Sequence, residues 1–419
     1  MRKTILWMLI ALLAALIPSG PQAAWAADSL ASMPGGGRQL LSAAAMADGK
    51  VLVTGGNTGI EDLNTALIYD PSINQWYGTL SMQEARFSHT STLLQDGRIL
   101  VAGGANFTVG ALDSAEIFDP ATISWSSAAS MSTPRQNATA SLLPDGRVLV
   151  AGGTNNYGDL NTVEIYDPES DTWTAGPNMD ATRKEHGAAV LGDGRILLSG
   201  GRVAGVISNS AIIFDPSLNT WTDAEQMPTA RYVHASVPLA DGRVEVNGGL
   251  DDVIFSPLDS TLIYDPEANV WLSGNSMNSG RLGHDAVLLQ SGLVFVVGGA
   301  DNGGVKSDSE SHSQDARPSM PTVDLAPGTV PMGTSIALSS SLVGASIYYT
   351  TDGTKPNLSS PVYSEPIIVN ESLTIRAIAY LAGQGASSVM SAAYTVPDPA
   401  AVPVAAPSGG AVPPGTEVT

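Results

Sequence analysis

Ala140-Ser141-Leu142-Leu143-Pro144-Asp145-Gly146-Arg147-Val148-Leu149-Val150-Ala151-Gly152-Gly153 decides the fold of this chain. Two short β-prone runs flank a tight Asp-Gly turn, which is a strong hairpin signal. A type I′ turn is expected there, since Asp and Gly both tolerate positive φ. The segment ends in a Gly-Gly pair, and that pair recurs. Gly55-Gly56, Gly103-Gly104, Gly152-Gly153, Gly200-Gly201, Gly248-Gly249 and Gly298-Gly299 follow one another at steps of 48, 49, 48, 48 and 50 residues. A period in this range marks an array of similar supersecondary units.

Other positions keep the same register. An arginine stands 17 residues before each pair, as Arg38, Arg86, Arg135, Arg183, Arg231 and Arg281. The turn recurs as Asp48-Gly49, Asp96-Gly97, Asp193-Gly194 and Asp241-Gly242, and as Ser291-Gly292 in the last copy. A variable stretch follows each diglycine. A third run then ends in an aromatic residue, Asp and Pro, as at Tyr69-Asp70-Pro71 and Phe118-Asp119-Pro120. Asp before Pro starts a tight turn. A fourth run opens with Trp76, Trp125, Trp173, Trp221 or Trp271, each followed six residues on by a methionine. One repeat therefore reads as four short antiparallel strands, which bury both faces only by stacking radially. The recurring tryptophans and aromatics fit packing between blades.

Diglycine, spaced aromatic and spaced tryptophan together resemble the kelch repeat, over residues 38–299. The resemblance implies a β-propeller. The sixth copy lacks the aromatic-Asp-Pro and the tryptophan, and residues 305–314 (VKSDSESHSQ) are very polar for a third strand. Residues 28–33 look like the tail of a fourth strand, with Met33 matching the recurring methionine. The expectation is an all-β chain. A six-bladed propeller spans 27–315 and is closed by the strand 28–33, with the last blade the weakest.

Composition shifts after Ser307. Ile347–Pro356 reads as a strand and an Asp-Gly turn, and Leu373–Tyr380 alternates. A small β-sandwich is expected over 316–396. Tyr349-Thr-Thr-Asp-Gly-Thr-Lys-Pro356, Val362-Tyr-Ser-Glu-Pro366 and Leu373-Thr-Ile-Arg-Ala-Ile-Ala379 resemble the C-terminal module of chitobiase and β-hexosaminidases. That module implies an accessory role. Residues 397–419, rich in Pro, Ala, Gly and Val, read as a disordered tail.

Arg2 and Lys3, the apolar run Thr4–Ile17 and Ala24-Trp25-Ala26 read as a signal peptide over 1–26. Export to the periplasm, cell surface or medium of a bacterium is expected, with no membrane span in the mature chain. The 419 residues carry a formal charge of -21 and no cysteine. The charge argues against nucleic acid and anionic membranes as partners.

Strand alternation places the Asp-Gly and Asp-Pro turns on one face and all variable loops on the other. Binding is expected on the loop face. Arg86, Arg135, Arg183, Arg231 and Arg281, with Arg38, would ring the channel mouth. They either bind an anion or pin neighbouring loops through carbonyls and carboxylates. Phe107, Asn155, Asn156, Tyr157, Tyr232, Asp251 and Asp252 suit sugar hydroxyls and faces, or a protein surface. His89, His186, His234 and His284 each follow an arginine by three residues. Spread around an axis they cannot share one ion. No metal or cofactor is expected, and no catalytic residue stands out.

The architecture also resembles galactose oxidase, but that family needs a Tyr cross-linked to Cys. The missing cysteine therefore argues against copper-radical chemistry. Six-bladed kelch mutarotases acting on sialic acid are an alternative. The leading expectation is an interaction scaffold for a glycan, cell-surface polymer or protein.

Overall fold

The computed structural model describes residues 30–397 except 252, 254, 255 and 314–316. Two compact units divide between residues 316 and 317. No helix among the described residues is long and apolar enough to cross a membrane.

The first unit is a six-bladed propeller. Blade 1 pairs Ser42–Ala45, Val51–Thr54, Ala66–Asp70 and Gln75–Gly78 in chain order, all antiparallel. Four further four-stranded sheets repeat this order, opening at Thr90, Thr139, Gly187 and Ala235. Blade 6 has three regular strands, Asp285–Leu288, Val294–Val297 and Ser309–His312. Second strands are buried throughout and mostly apolar, as in Val148–Ala151, because they face a neighbouring blade on both sides; Val244–Asn247, which carries Glu245 and Asn247, is the polar exception. First strands line the axis and fourth strands form the rim.

The hairpin between first and second strands is not of type I′. Gly146 has φ 92° whereas Asp145 is not in the positive-φ region. Gly146 N–H donates to Leu143 O, and Leu143 N–H donates to Arg147 O. This is a type I turn closed by a glycine bulge. The Asp145 carboxylate accepts the Arg147 N–H two residues on at 3.1 Å, the local bond that favours Asp in turns.

Blades interlock through their aromatics. Tyr166 and Trp173 lie 5.0 Å apart between ring centres. The Trp173 indole N–H donates to Ala129 O of the preceding blade at 2.7 Å. Trp125, Trp221 and Trp271 repeat this bond onto Leu80, Pro177 and Glu225. Trp76 makes it onto Ala31, so residues 30–33 occupy the outer position of blade 6. Met33 N–H donates to Ser307 O at 2.8 Å, as Met131 N–H does to Asp113 O within blade 2. Met33 and Leu30 pack with Tyr69 and Phe295. Residues 28 and 29 lie outside the described residues.

The polar third strand of blade 6 is fully accommodated. Glu310 takes the place of Glu116 and Glu164 beside a buried arginine. His312 stands where the other blades carry Tyr or Phe, and its Nε2 lies 2.9 Å from Glu245 Oε2. Glu245 in turn replaces a leucine such as Leu149, which packs on Phe214 at the equivalent interface. A buried, hydrogen-bonded polar pair thus stands where an apolar contact recurs elsewhere. Buried pairs are weak stabilisers next to apolar packing of similar volume. Restoring the repeat with Glu245→Leu and His312→Phe together is expected to be neutral or to stabilise by about 1–4 kcal/mol. Glu245→Leu alone should lower the unfolding midpoint in calorimetry, since it strands a buried imidazole.

The second unit is a small sandwich. Leu373–Leu381 is central, with Ser346–Thr350 and Met390–Thr395 antiparallel on its two sides. Gly328–Thr329 adds to the edge in parallel, and Thr334–Ile336 pairs Ile367–Val369. Ile336, Val369, Ile375 and Tyr394 form its core.

Candidate functional site

The six arginines do not ring an open mouth; this corrects the expectation for Arg86, Arg135, Arg183, Arg231 and Arg281. All are buried. Each donates from Nη1 to the first carbonyl of its own diglycine, as Arg135 does to Gly152 at 2.8 Å. That bond accounts for the constant spacing of 17 residues. Each arginine carbonyl also accepts from the second glycine of the preceding repeat, as Gly153 N–H donates to Arg183 O at 2.9 Å. A side chain on Gly152 would place its Cβ 2.2 Å from that same carbonyl, so the pair must be glycine.

Arg86, Arg135 and Arg281 also pair with Glu116, Glu164 and Glu310 at 3.0, 2.7 and 2.6 Å. Arg38, Arg183 and Arg231 have no such glutamate, and burial pulls each down to about 10. They remain cations at neutral pH, but their donors are committed inside the blade.

Two residues after each arginine the chain reaches the axis. Leu40, Ser88, Asn137, Glu185, Val233 and Gly283 stand there, all with φ between 49° and 57°. Their backbones form a closed belt. Ser88 N–H donates to Leu40 O, Asn137 to Ser88, Glu185 to Asn137, Val233 to Glu185, Gly283 to Val233 and Leu40 to Gly283, at 2.6–3.0 Å. Positive φ is strained for Leu and Val, and it persists where the surroundings over-determine it. Nothing in these residue types signals the belt; only Asn137 and Gly283 have the usual tolerance.

Within the belt lies a cavity of about 250 Å³. Its lining includes Asn137, Thr139, Glu185, Ser236 and Asp285, with the four histidines. It opens at the starts of the first strands, on the side of the variable loops. The histidines are buried clips rather than ligands in waiting. His89 Nε2 lies 2.8 Å from Thr54 Oγ1, and His284 Nε2 lies 2.8 Å from Asn247 Oδ1, both on the preceding blade. Burial lowers His89 and His234 to about 3 and holds His186 and His284 well below the ordinary value, so all four are neutral. Among the described residues no group of three or more His, Cys, Asp or Glu is placed to hold a metal.

Of the described loop residues singled out in the sequence, none lines this cavity. Phe107 stands exposed against Phe87, 5.6 Å between ring centres. Asn155 closes its own turn by accepting from Tyr157 N–H, and Asn156 packs on Gly110. Tyr157 is 97% exposed. Tyr232 carries the Arg202 guanidinium 4.5 Å above its ring. Asp251 accepts from Val253 N–H. Asp252 lies outside the described residues. These side chains belong to an outer rim, in which Ile60, Phe107, Val109, Tyr157, Val206 and Val253 are exposed apolar tips on five successive loops. The opposite face exposes Ile73, Ile123 and Leu218 at its peripheral Asp-Pro turns.

A closed six-bladed ring with a polar axial cavity and variable loops around it defines a β-propeller with one differentiated face. The chain belongs to the kelch-repeat family: the KLHDC2/KLHL20/DRC7 Kelch-repeats domain matches residues 41–249 and 88–299. The Chitobiase/beta-hexosaminidase C-terminal domain matches residues 325–392. The solved structure of YjhT is similar in fold, with a TM-score of 0.58 and 14% identity, covering 68% of this chain and 99% of that one. No curated protein matches the sequence.

Proposed function

We propose that this chain is an exported interaction protein that captures a protein partner on its variable-loop face. The observation that carries the reading is the rim of exposed apolar tips around a polar axial cavity. Exposed apolar side chains gathered on one face, above what a single scattered residue would give, support a recognition role for that face. Kelch propellers as a class suggest a protein-binding surface, which supports the same reading. The N-terminal Arg2–Lys3, apolar run and Ala24-Trp25-Ala26 support export.

The mutarotase alternative draws less support. An acidic sugar needs a cation for its carboxylate, and no Lys or Arg lines the cavity among the described residues. A photo-reactive phenylalanine analogue at position 157 is expected to cross-link a protein in the producing cell. The same analogue at position 218, on the other face, should not. Equal capture from both positions, or capture from neither alongside a positive glycan array, would sink the reading.

A further inference from the structure

The four-residue offset from each arginine holds Ser42, Thr90, Thr139, Gly187, Ala235 and Asp285. Five are small and neutral, and one is an acid. Asp285 lines the axial cavity. Its Oδ2 accepts from Ala43 N–H at 2.7 Å and from Ser42 Oγ at 3.5 Å, and its Oδ1 accepts from Ala286 N–H at 2.8 Å. All three donors are neutral. Its strand packs on Ser42–Ala45, Ala235–Pro238 and Val294–Val297, none of which carries a titratable side chain. His284 and His234 flank it and are neutral. The other carboxylate of the lining, Glu185, already has a cation, Arg202 Nε at 3.1 Å. Asp285 has none.

The remaining polar atoms point the same way. Asn247 Nδ2 donates to Glu245, which fixes Asn247 Oδ1 as an acceptor. His284 Nε2 must therefore be the donor of their bond, and its Nδ1 carries a lone pair. That Nδ1 is buried and has no protein partner, and the Ser88 and Ser236 hydroxyls, also in the lining, have none. The described lining residues thus include a carboxylate without a cation, neutral imidazoles and hydroxyl-bearing side chains, and no Lys or Arg. A ligand group that only donates, and carries positive charge, complements that set. An ammonium has three donors and no acceptor. Leu40, Leu41 and Val233 in the same lining suit an aliphatic stem.

We infer that the axial cavity receives a primary ammonium, presented as a lysine side chain of the protein partner, with Asp285 as its counter-ion. The inference rests on the proposed protein-capturing role but is tested apart from it. The probe is Nα-acetyl-lysine amide, titrated calorimetrically into the full chain, with Nα-acetyl-norleucine amide as its uncharged analogue. Binding of the lysine amide alone is expected. Asp285→Asn should weaken it at least tenfold, and so should Asp285→Ser, which copies Ser42 of the first repeat and guards against a misfolded variant. Burial raises the Asp285 carboxyl to about 6, so affinity should fall as pH drops through that value. Equal binding of the norleucine amide overturns the inference. So does undiminished binding by both variants, or tighter binding of glucosamine or N-acetylneuraminate. Failure of the position-157 cross-link with intact lysine-amide binding would count against the partner reading and leave the cavity assignment standing.

Discussion

Arg135→Met is expected to destabilise the propeller by about 3–5 kcal/mol, the loss typical when one partner of a buried ion pair is removed. The Arg135 side chain is 1% exposed and its partner Glu164 is 6% exposed. Without the guanidinium, the Glu164 carboxylate is left with the Ser132 and Thr133 backbone N–H groups and the Ser132 hydroxyl. The Gly152 carbonyl loses its donor as well, and the Thr162 carbonyl keeps only the Gly152 N–H. Arg183→Met should cost less, about 1–3 kcal/mol, because it leaves the Gly200 carbonyl without a donor but strands no carboxylate. Adding Glu164→Leu to Arg135→Met should recover much of the loss. Calorimetry of the propeller transition reads all three. If instead Arg135→Met left stability intact and abolished ligand binding, the arginines would be a binding ring after all.

That ranking also shows which parts of the site the sequence discloses. Whatever the scaffold needs in each blade is written again and again: the diglycine and the arginine that bonds it six times, and the tryptophan that reaches the neighbouring blade five times. Repetition makes such positions easy to find and marks them as scaffold. The arginine spacing was legible, but burial was not, because a guanidinium that satisfies carbonyls inside a blade has the same sequence signature as one facing an anion. The axial lining is written once per position. Asp285 and Glu185 lie two to four residues from an arginine, yet they depart from the repeat, and their register on the axis depends on a belt of positive-φ residues that Leu40 and Val233 do not advertise. The same reasoning covers Ser309–His312. Read alone it is too polar for a core strand, but its Glu310 and His312 meet Arg281 and Glu245. A strand's polarity cannot be judged without the neighbour that faces it.

Removal of residues 30–33 is expected to have the other large effect, because these four residues join the two ends of the ring. Met33 is as buried as its internal equivalent Met131, 3% each, and its amide makes the same bond to the third strand of its blade. Met33→Ala should therefore cost about as much as Met131→Ala, in the range of 2–5 kcal/mol for such truncations in a core. Deletion should cost more than either. It also removes the Ala31 N–H bond to Asn74 at 2.7 Å and the acceptor of the Trp76 indole. Above all it uncovers the outer edge of Ser309–His312, which invites pairing with another chain. The seam would then hold through Leu40 in the belt, the Arg38 N–H bond to Lys306 O, the Gly299 N–H bond to Arg38 O, the Asp285 bond to Ala43 and the stacking of Tyr69 on Phe295. A closed ring fails at its weakest interface, so loosening this seam should speed unfolding of the whole propeller and expose blade 6 first. Hydrogen exchange is expected to show lost protection in Val294–Val297 before the same strand of blade 3, together with concentration-dependent association. If the shortened chain kept the protection pattern and melting temperature of the full one, the remaining seam contacts would suffice for closure, and residues 30–33 would be only a cover for the rim.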